Sequence, residues 1–108
     1  MMNLLFVCSA NRLRSPTAEQ VFAGKSGIET DSAGLLNTAD TVLSAEQVEW
    51  ADVIFVMEKR HRTKLSQKFA SYLKGKRVIC LDIPDDYGFM QPELVALLER
   101  KVAPFLKR

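Results

Sequence analysis

Residues 8–15 read Cys-Ser-Ala-Asn-Arg-Leu-Arg-Ser, which puts a thiol, two guanidinium groups, a carboxamide and two hydroxyls into one short stretch. Cys8 directly follows an apolar run and a helix opens at Ser15-Pro16, so the sulfur sits beside a helix N-terminus. There the helix dipole and unpaired backbone N–H groups stabilise an anion, a thiolate included. Arg14 stands six positions after Cys8 and can fold back over the same concavity, where its planar guanidinium holds two oxygens of a phosphate at once. The chemistry such an arrangement serves is capture of an oxyanion above a nucleophilic sulfur. A Cys-to-Arg spacing is weak by itself, and a lone cysteine is more often a small buried hydrophobe. That plainer reading leaves Asn11, Arg12, Arg14 and Ser15 crowded at one strand end without a task.

The elements that must position this loop are legible from pattern. Leu4-Val7, Val53-Val56 and Val78-Leu81 are short continuous apolar runs, as strands covered on both faces are, whereas Ile28-Ser32 is polar and alternating, as at an exposed edge. Between them lie helices. Ser15 reads as an N-cap with Pro16 at the first helical position, and Gly24 and Gly27 close that helix. Ser44 and Gln47 form a capping box with Leu43 and Val48 as its staple. Leu65, Phe69, Tyr72 and Leu73 mark the apolar face of a third helix, and Leu94, Val95, Leu98, Val102 and Phe105 that of a fourth, which starts at Pro92 and is disturbed at Pro104. The order β-α-β-α-β-α-β-α predicts an α/β fold, a three-layer α/β/α sandwich around a four-stranded parallel sheet of order 2-1-3-4. Ligands bind beyond the carboxyl ends of such strands. This directs attention to residues 8–15, 33–37, 57–60 and 82–90.

Composition narrows the classes. With 108 residues, 47% hydrophobic, 26% charged and a net charge of +2, the chain reads as one domain, 1–108, of ordinary globular type, with too little charge to argue for nucleic acid. The run Leu4-Cys8 is too short for a signal-peptide core or a membrane span. Cys8 and Cys80 make no disulfide framework, which suits a reducing, cytoplasmic setting. A single His61 without clustered ligands predicts no metal and no cofactor. Oligomeric state is open.

Val7-Cys8-Ser9-Ala10-Asn11-Arg12-Leu13-Arg14-Ser15-Pro16-Thr17-Ala18-Glu19 resembles the signature of the low-molecular-weight protein tyrosine phosphatases. Ser32-Ala33-Gly34 is similar to the end of that family's second strand, Ala51-Ile54 with Met57 to its third, and Ile83-Pro84-Asp85-Asp86-Tyr87 to its Asp-Pro-Tyr loop. The resemblance implies that Cys8 forms a phosphocysteine, that Arg14 binds the phosphoryl oxygens, and that Ser9, Ala10, Asn11, Arg12, Leu13 and Ser15 complete the phosphate loop. It further implies that Asn11 holds the loop backbone, that Ser15 hydrogen-bonds the thiolate, and that Asp85 is the general acid, with Asp86 and Tyr87 at the substrate pocket. Asp86 and Asp82 are alternatives for the acid, and the Asp-Pro-Gly content also suits a plain polar turn.

The chain departs from the family where Ala10 replaces a usual Gly, where Leu13 replaces a second Cys, and in its short stretch after Gly34. The expected function is a cysteine-dependent phosphatase acting on protein phosphotyrosine or a small aryl phosphate, with no nucleic-acid or membrane partner. Alternatives are a catalytically weak phosphoprotein-binding module and an arsenate-reductase-like enzyme, for which two cysteines are few. The run Lys59-Lys64 reads as a solvated helix face able to steer anions, Gly24-Lys25-Ser26 as a helix end, and Cys80, Trp50 and Met57 as packing.

Overall fold

The computed structural model describes residues 1–106. Strands β1 (Met2–Cys8), β2 (Ile28–Gly34), β3 (Val53–Val56) and β4 (Arg77–Cys80) alternate with helices α1 (Arg14–Phe22), α2 (Ala45–Trp50), α3 (Lys59–Phe69) and α4 (Pro92–Leu106). All neighbours pair in parallel, in the order β2-β1-β3-β4. Cys8 lies opposite Gly34, Val7 opposite Val56, and Val56 opposite Cys80, so the four strands end level. The loops that follow them therefore leave from one edge. No helix among the described residues is long and apolar enough to cross a membrane.

Period-two alternation along β1 divides the core. Leu4, Phe6 and Cys8 face α1 and α4 with Ala18, Phe22, Leu94, Leu98 and Val102, while Leu5 and Val7 face α2 and α3 with Val48 and Leu65. Phe6 stacks between Phe22 and Phe55, with ring centroids 5.7 and 5.3 Å away. The nucleophile candidate thus terminates a strand packed on both faces.

Several local expectations need correction. Helix α1 starts at Arg14 with Leu13 in the cap position, so Ser15 is no N-cap and Pro16 is the third helical residue. Proline is tolerated there because first-turn N–H groups lack intrahelical acceptors; the Ser15 hydroxyl is turned inward instead, as described below. Strand β2 runs on through Ala33 and Gly34. Helix α3 ends at Phe69 and gives way to a single 3-10 turn, Ala70–Tyr72, which swings Tyr72 outward while Phe69 and Leu73 stay on the core. Pro104 lies within α4 without ending it. The Ser44–Gln47 capping box forms as read.

The segment after Gly34 supports the first loop from behind. Leu35, Leu36 and Asp40 donate their N–H groups to the carbonyls of Cys8, Ser9 and Ala10, which turns those carbonyls outward. Gly34 lies so close beneath the loop that an added Cβ would stand 2.5 Å from the Ser9 carbonyl oxygen and 2.6 Å from the Ala39 methyl. Backbone cannot yield as a flexible side chain would. Gly34→Ala is expected to lower the unfolding free energy by about 1–3 kcal/mol, measured by urea denaturation. An unchanged midpoint would show that loop and segment separate freely.

Candidate active site

Two groups converge on the Cys8 sulfur. The Asn11 N–H donates to it at 3.3 Å, the Ser15 Oγ stands 2.9 Å away, and the thiol itself is buried. Asn11 takes a left-handed backbone with φ of 55°, a conformation that Asn tolerates better than most residues. Its buried side chain fixes the turn, because Nδ2 donates to the Ser15 Oγ at 2.9 Å and to the Ser32 Oγ at 3.0 Å. Ser32 in turn donates to the Glu19 carboxylate. Proton bookkeeping then orients Ser15. Its oxygen accepts from Asn11, so its own O–H is free to donate, and sulfur at 2.9 Å is much nearer than the alternative Ala33 carbonyl at 3.5 Å.

Arg14 is 2% exposed although it is a cation. Burial of a charge is tolerated only where it is paired and hydrogen-bonded. Its Nη1 donates to the Glu58 carboxylate and, at 2.7 Å, to the Ile83 carbonyl, while its Nε lies 3.6 Å from Asp85 Oδ1. Glu58 is gripped from outside by Arg60 as well. The Arg60 hydrogen bond, followed by the bond and charge of Arg14, holds the Glu58 carboxyl at about 2, below the usual carboxylate range.

The first turn of α3 also reaches the other end of the loop. His61 is 2% exposed; its Nδ1 accepts the Glu58 N–H at 3.1 Å, so its proton resides on Nε2, which donates to the Ser9 Oγ at 2.9 Å. Burial first, then the charges of Arg14 and Arg60, push His61 down to about 4. The ring is neutral at neutral pH. One helix start thereby holds Arg14 through Glu58 and Ser9 through His61.

A cavity of about 210 Å³ opens over the sulfur, lined by Cys8, Ser9, Ala10, Arg12, Leu13, Arg14 and Asp85. The N–H groups of Ser9, Ala10, Arg12 and Leu13 enter no turn or cap bond among the described residues, which leaves donors around the bowl. At the mouth, Arg12 is paired with Asp40 at 3.2 Å, and Leu13 is exposed. Of the two loop acids, Asp85 lines this cavity and Asp86 does not. Tyr87 packs half-buried against the core face of α1 and α4, outside the lining. Asp82 sits in a left-handed turn and accepts from Cys80 at 3.4 Å.

Glu58, His61, Ser32 and Glu19 received no role from sequence reasoning. Glu58 does fall in the stretch after the third strand, where ligand-facing residues are expected, but nothing in its type announces a partner 44 positions away. The basic run divides: His61 is buried, Arg62 reaches the Val78 carbonyl, and the others face solvent.

No family profile and no curated protein matches the chain. Solved structures do. A mutant of YwlE from Bacillus subtilis is 25% identical with a TM-score of 0.76, over 100% of both chains. A YwlE arginine phosphatase mutant with a phosphorylated active-site serine is 25% identical with a TM-score of 0.78, over 99% of this chain and 97% of that one. A low-molecular-weight protein tyrosine phosphatase from T. tengcongensis is 24% identical with a TM-score of 0.77, over 98% and 100%.

The two depressed groups of α3 set a stability profile. An unfolded His takes up its proton near pH 6.5 and the folded one only near 4, so stability is full above about 6.5 and falls as pH drops through that window, by at most about 1.4 kcal/mol per pH unit. Glu58, lowered from 4.5 to about 2, extends the loss below pH 4.5. His61→Gln is expected to flatten the slope between pH 6.5 and 4 and to leave the lower limb, measured by urea unfolding at stepped pH. Parallel profiles for the two proteins would contradict it.

Proposed function

We infer the reaction from a premise that the fold supplies: the chain groups with the low-molecular-weight protein tyrosine phosphatases, cysteine-based phosphoric monoester hydrolases. The whole chain, 1–108, acts as one such domain, and its substrate is phosphotyrosine on a protein. The observation that carries this reading is the meeting of the Cys8 sulfur, the Arg14 guanidinium and the Asp85 carboxyl on one cavity of about 210 Å³. A phosphoryl group fits such a bowl with its oxygens on loop N–H groups and on Arg14, which stabilise the charge that spreads over them in the transition state.

The steps follow. The Cys8 thiolate attacks phosphorus in line, the P–O bond to the substrate breaks, and protonated Asp85 gives its proton to the leaving oxygen. The phosphoryl group then resides on sulfur. Water attacks it from the side the product has left, Asp85 takes the water's proton, and sulfur departs as a thiolate that accepts the Ser15 O–H. Phosphate leaves and Asp85 returns as the acid. Asn11 keeps the loop and Ser15 in register throughout. Every group in this scheme is a side chain or backbone N–H of the chain itself.

Support for Asp85 over Asp86 is its place on the cavity wall and its 3.6 Å approach to Arg14. Similarity to an arginine phosphatase favours phosphoarginine as the second reading of the substrate.

Steady-state rates on an aryl phosphate and on a phosphoarginyl peptide test both points. Cys8→Ser is expected to abolish turnover, Asp85→Asn to lower kcat by about 10²-fold or more, and Asp86→Asn to change it little. Retained activity in Cys8→Ser sinks the mechanism; hydrolysis of the phosphoarginyl peptide alone moves the substrate to the second reading.

A further inference from the structure

Charge on this chain is strongly segregated. Residues 59–77 carry eight of its 15 Lys and Arg and none of its 13 Asp and Glu, so the other 89 positions are net acidic. This stretch begins at the active site, because α3 starts at Lys59, next to Glu58, the residue that holds Arg14. Several of its cations have structural work: Arg62 caps the Val78 carbonyl, Lys68 the Leu35 carbonyl, and Lys76 the carbonyls of Glu49 and Ala51. Lys59 and Lys64 are exposed, and their ammonium groups make no hydrogen bond or ion pair among the described residues.

Two depressions flank the proposed catalytic cavity, the first sharing a residue with it and the second sharing one with the first. One, of about 180 Å³, is lined by Ser9, Leu35, Leu36, Arg60, His61 and Lys64; it shares Ser9 with the catalytic bowl and has two cations and no acid on its wall. The other, of about 440 Å³, shares Arg60 with the first and adds Lys59, but Glu58 and Asp82 offset its charge. A polypeptide whose phosphorylated side chain enters the bowl must lay its neighbouring residues over such flanking ground.

We propose that the depression formed by Lys64 and Arg60 is a subsite for an acidic residue adjacent to the phosphorylated one, so that the enzyme selects phosphoproteins with acidic flanks; this rests on the phosphatase reading above. The occupant is identified by charge complementarity, with Lys64 as the reading cation, Arg60 shared with Glu58, and Lys59 extending the track. Exposed pairs of this kind act additively and weakly, and they are screened by salt.

The test compares phosphotyrosyl peptides flanked by Glu, Gln or Lys, with a small aryl phosphate as control, on wild type and on the Lys59→Glu/Lys64→Glu double variant. At low ionic strength the wild type is expected to favour the Glu peptide over the Gln peptide by about three- to tenfold in kcat/KM, mostly through KM. The preference should vanish at high salt and pass to the Lys peptide in the variant, while aryl phosphate turnover stays the same. Equal rates on Glu and Gln peptides with normal aryl phosphate turnover overturn the subsite alone, as does a variant that keeps the preference. Absence of aryl phosphate hydrolysis in the wild type removes the phosphatase reading and the subsite with it. Retention on single-stranded RNA or anionic vesicles that the variant loses, without any peptide preference, assigns the face to another polyanion and also overturns the proposal.

Discussion

The carboxamide of Asn11 has two N–H bonds and spends both on serine hydroxyls, one from α1 and one from β2. Because its own backbone is left-handed, its main-chain N–H turns back toward Cys8 at the same time. The consequences spread outward from there. Ser15 accepts from Asn11 and so aims its proton at sulfur; Ser32 accepts from Asn11 and so passes its proton to Glu19. A chain of donors running from a carboxylate to a thiol position is set by one residue, and a buried network of this kind is rigid only while every member is satisfied. Among the described residues no buried side-chain nitrogen or oxygen is left without a partner.

The loop must also be held from outside, and two neighbouring strand ends do this by different means. The segment after β2 takes up the carbonyls of Cys8, Ser9 and Ala10, leaving N–H groups around the bowl. The start of α3, after β3, contributes charge and a neutral imidazole: Glu58 compensates a buried guanidinium, and His61 fixes Ser9. Level strand ends in a parallel sheet are what bring these segments together. The same α3 start begins the basic stretch, so the residues that brace the loop also open the flanking ground.

Much of the fold was legible in the sequence because parallel sheets have a strong signature. Three apolar runs and one polar alternating run decided the strand order, and the helical periodicities placed a helix after each strand. Local signals failed where tertiary bonds outbid them. Ser15-Pro16 has the composition of a helix start, yet the Ser15 hydroxyl is engaged beside sulfur and Asn11, and the helix begins two residues earlier than that reading allows. Tyr72 follows helical spacing that a 3-10 turn breaks. At the site, Cys8, Asn11, Arg14 and Ser15 lie within eight consecutive residues spanning the end of β1 to the first turn of α1, where sequence distance and spatial distance agree. Glu58 and His61 are distant in sequence and ordinary in type, and only the register of β3 against β1 reveals them.

The account stands on covalent chemistry at Cys8, and the most direct measurement is peptide mapping by mass spectrometry of protein acid-quenched during turnover of an aryl phosphate. Ser15→Ala is the variant to use, since on the proposed mechanism loss of the hydroxyl beside sulfur is expected to slow release of the thiolate and let the intermediate accumulate. The account predicts one phosphoryl group per chain, on Cys8, formed in a burst and absent from Cys8→Ser. Steady turnover with no phosphoryl adduct on Cys8, or with the adduct on another residue, would contradict it.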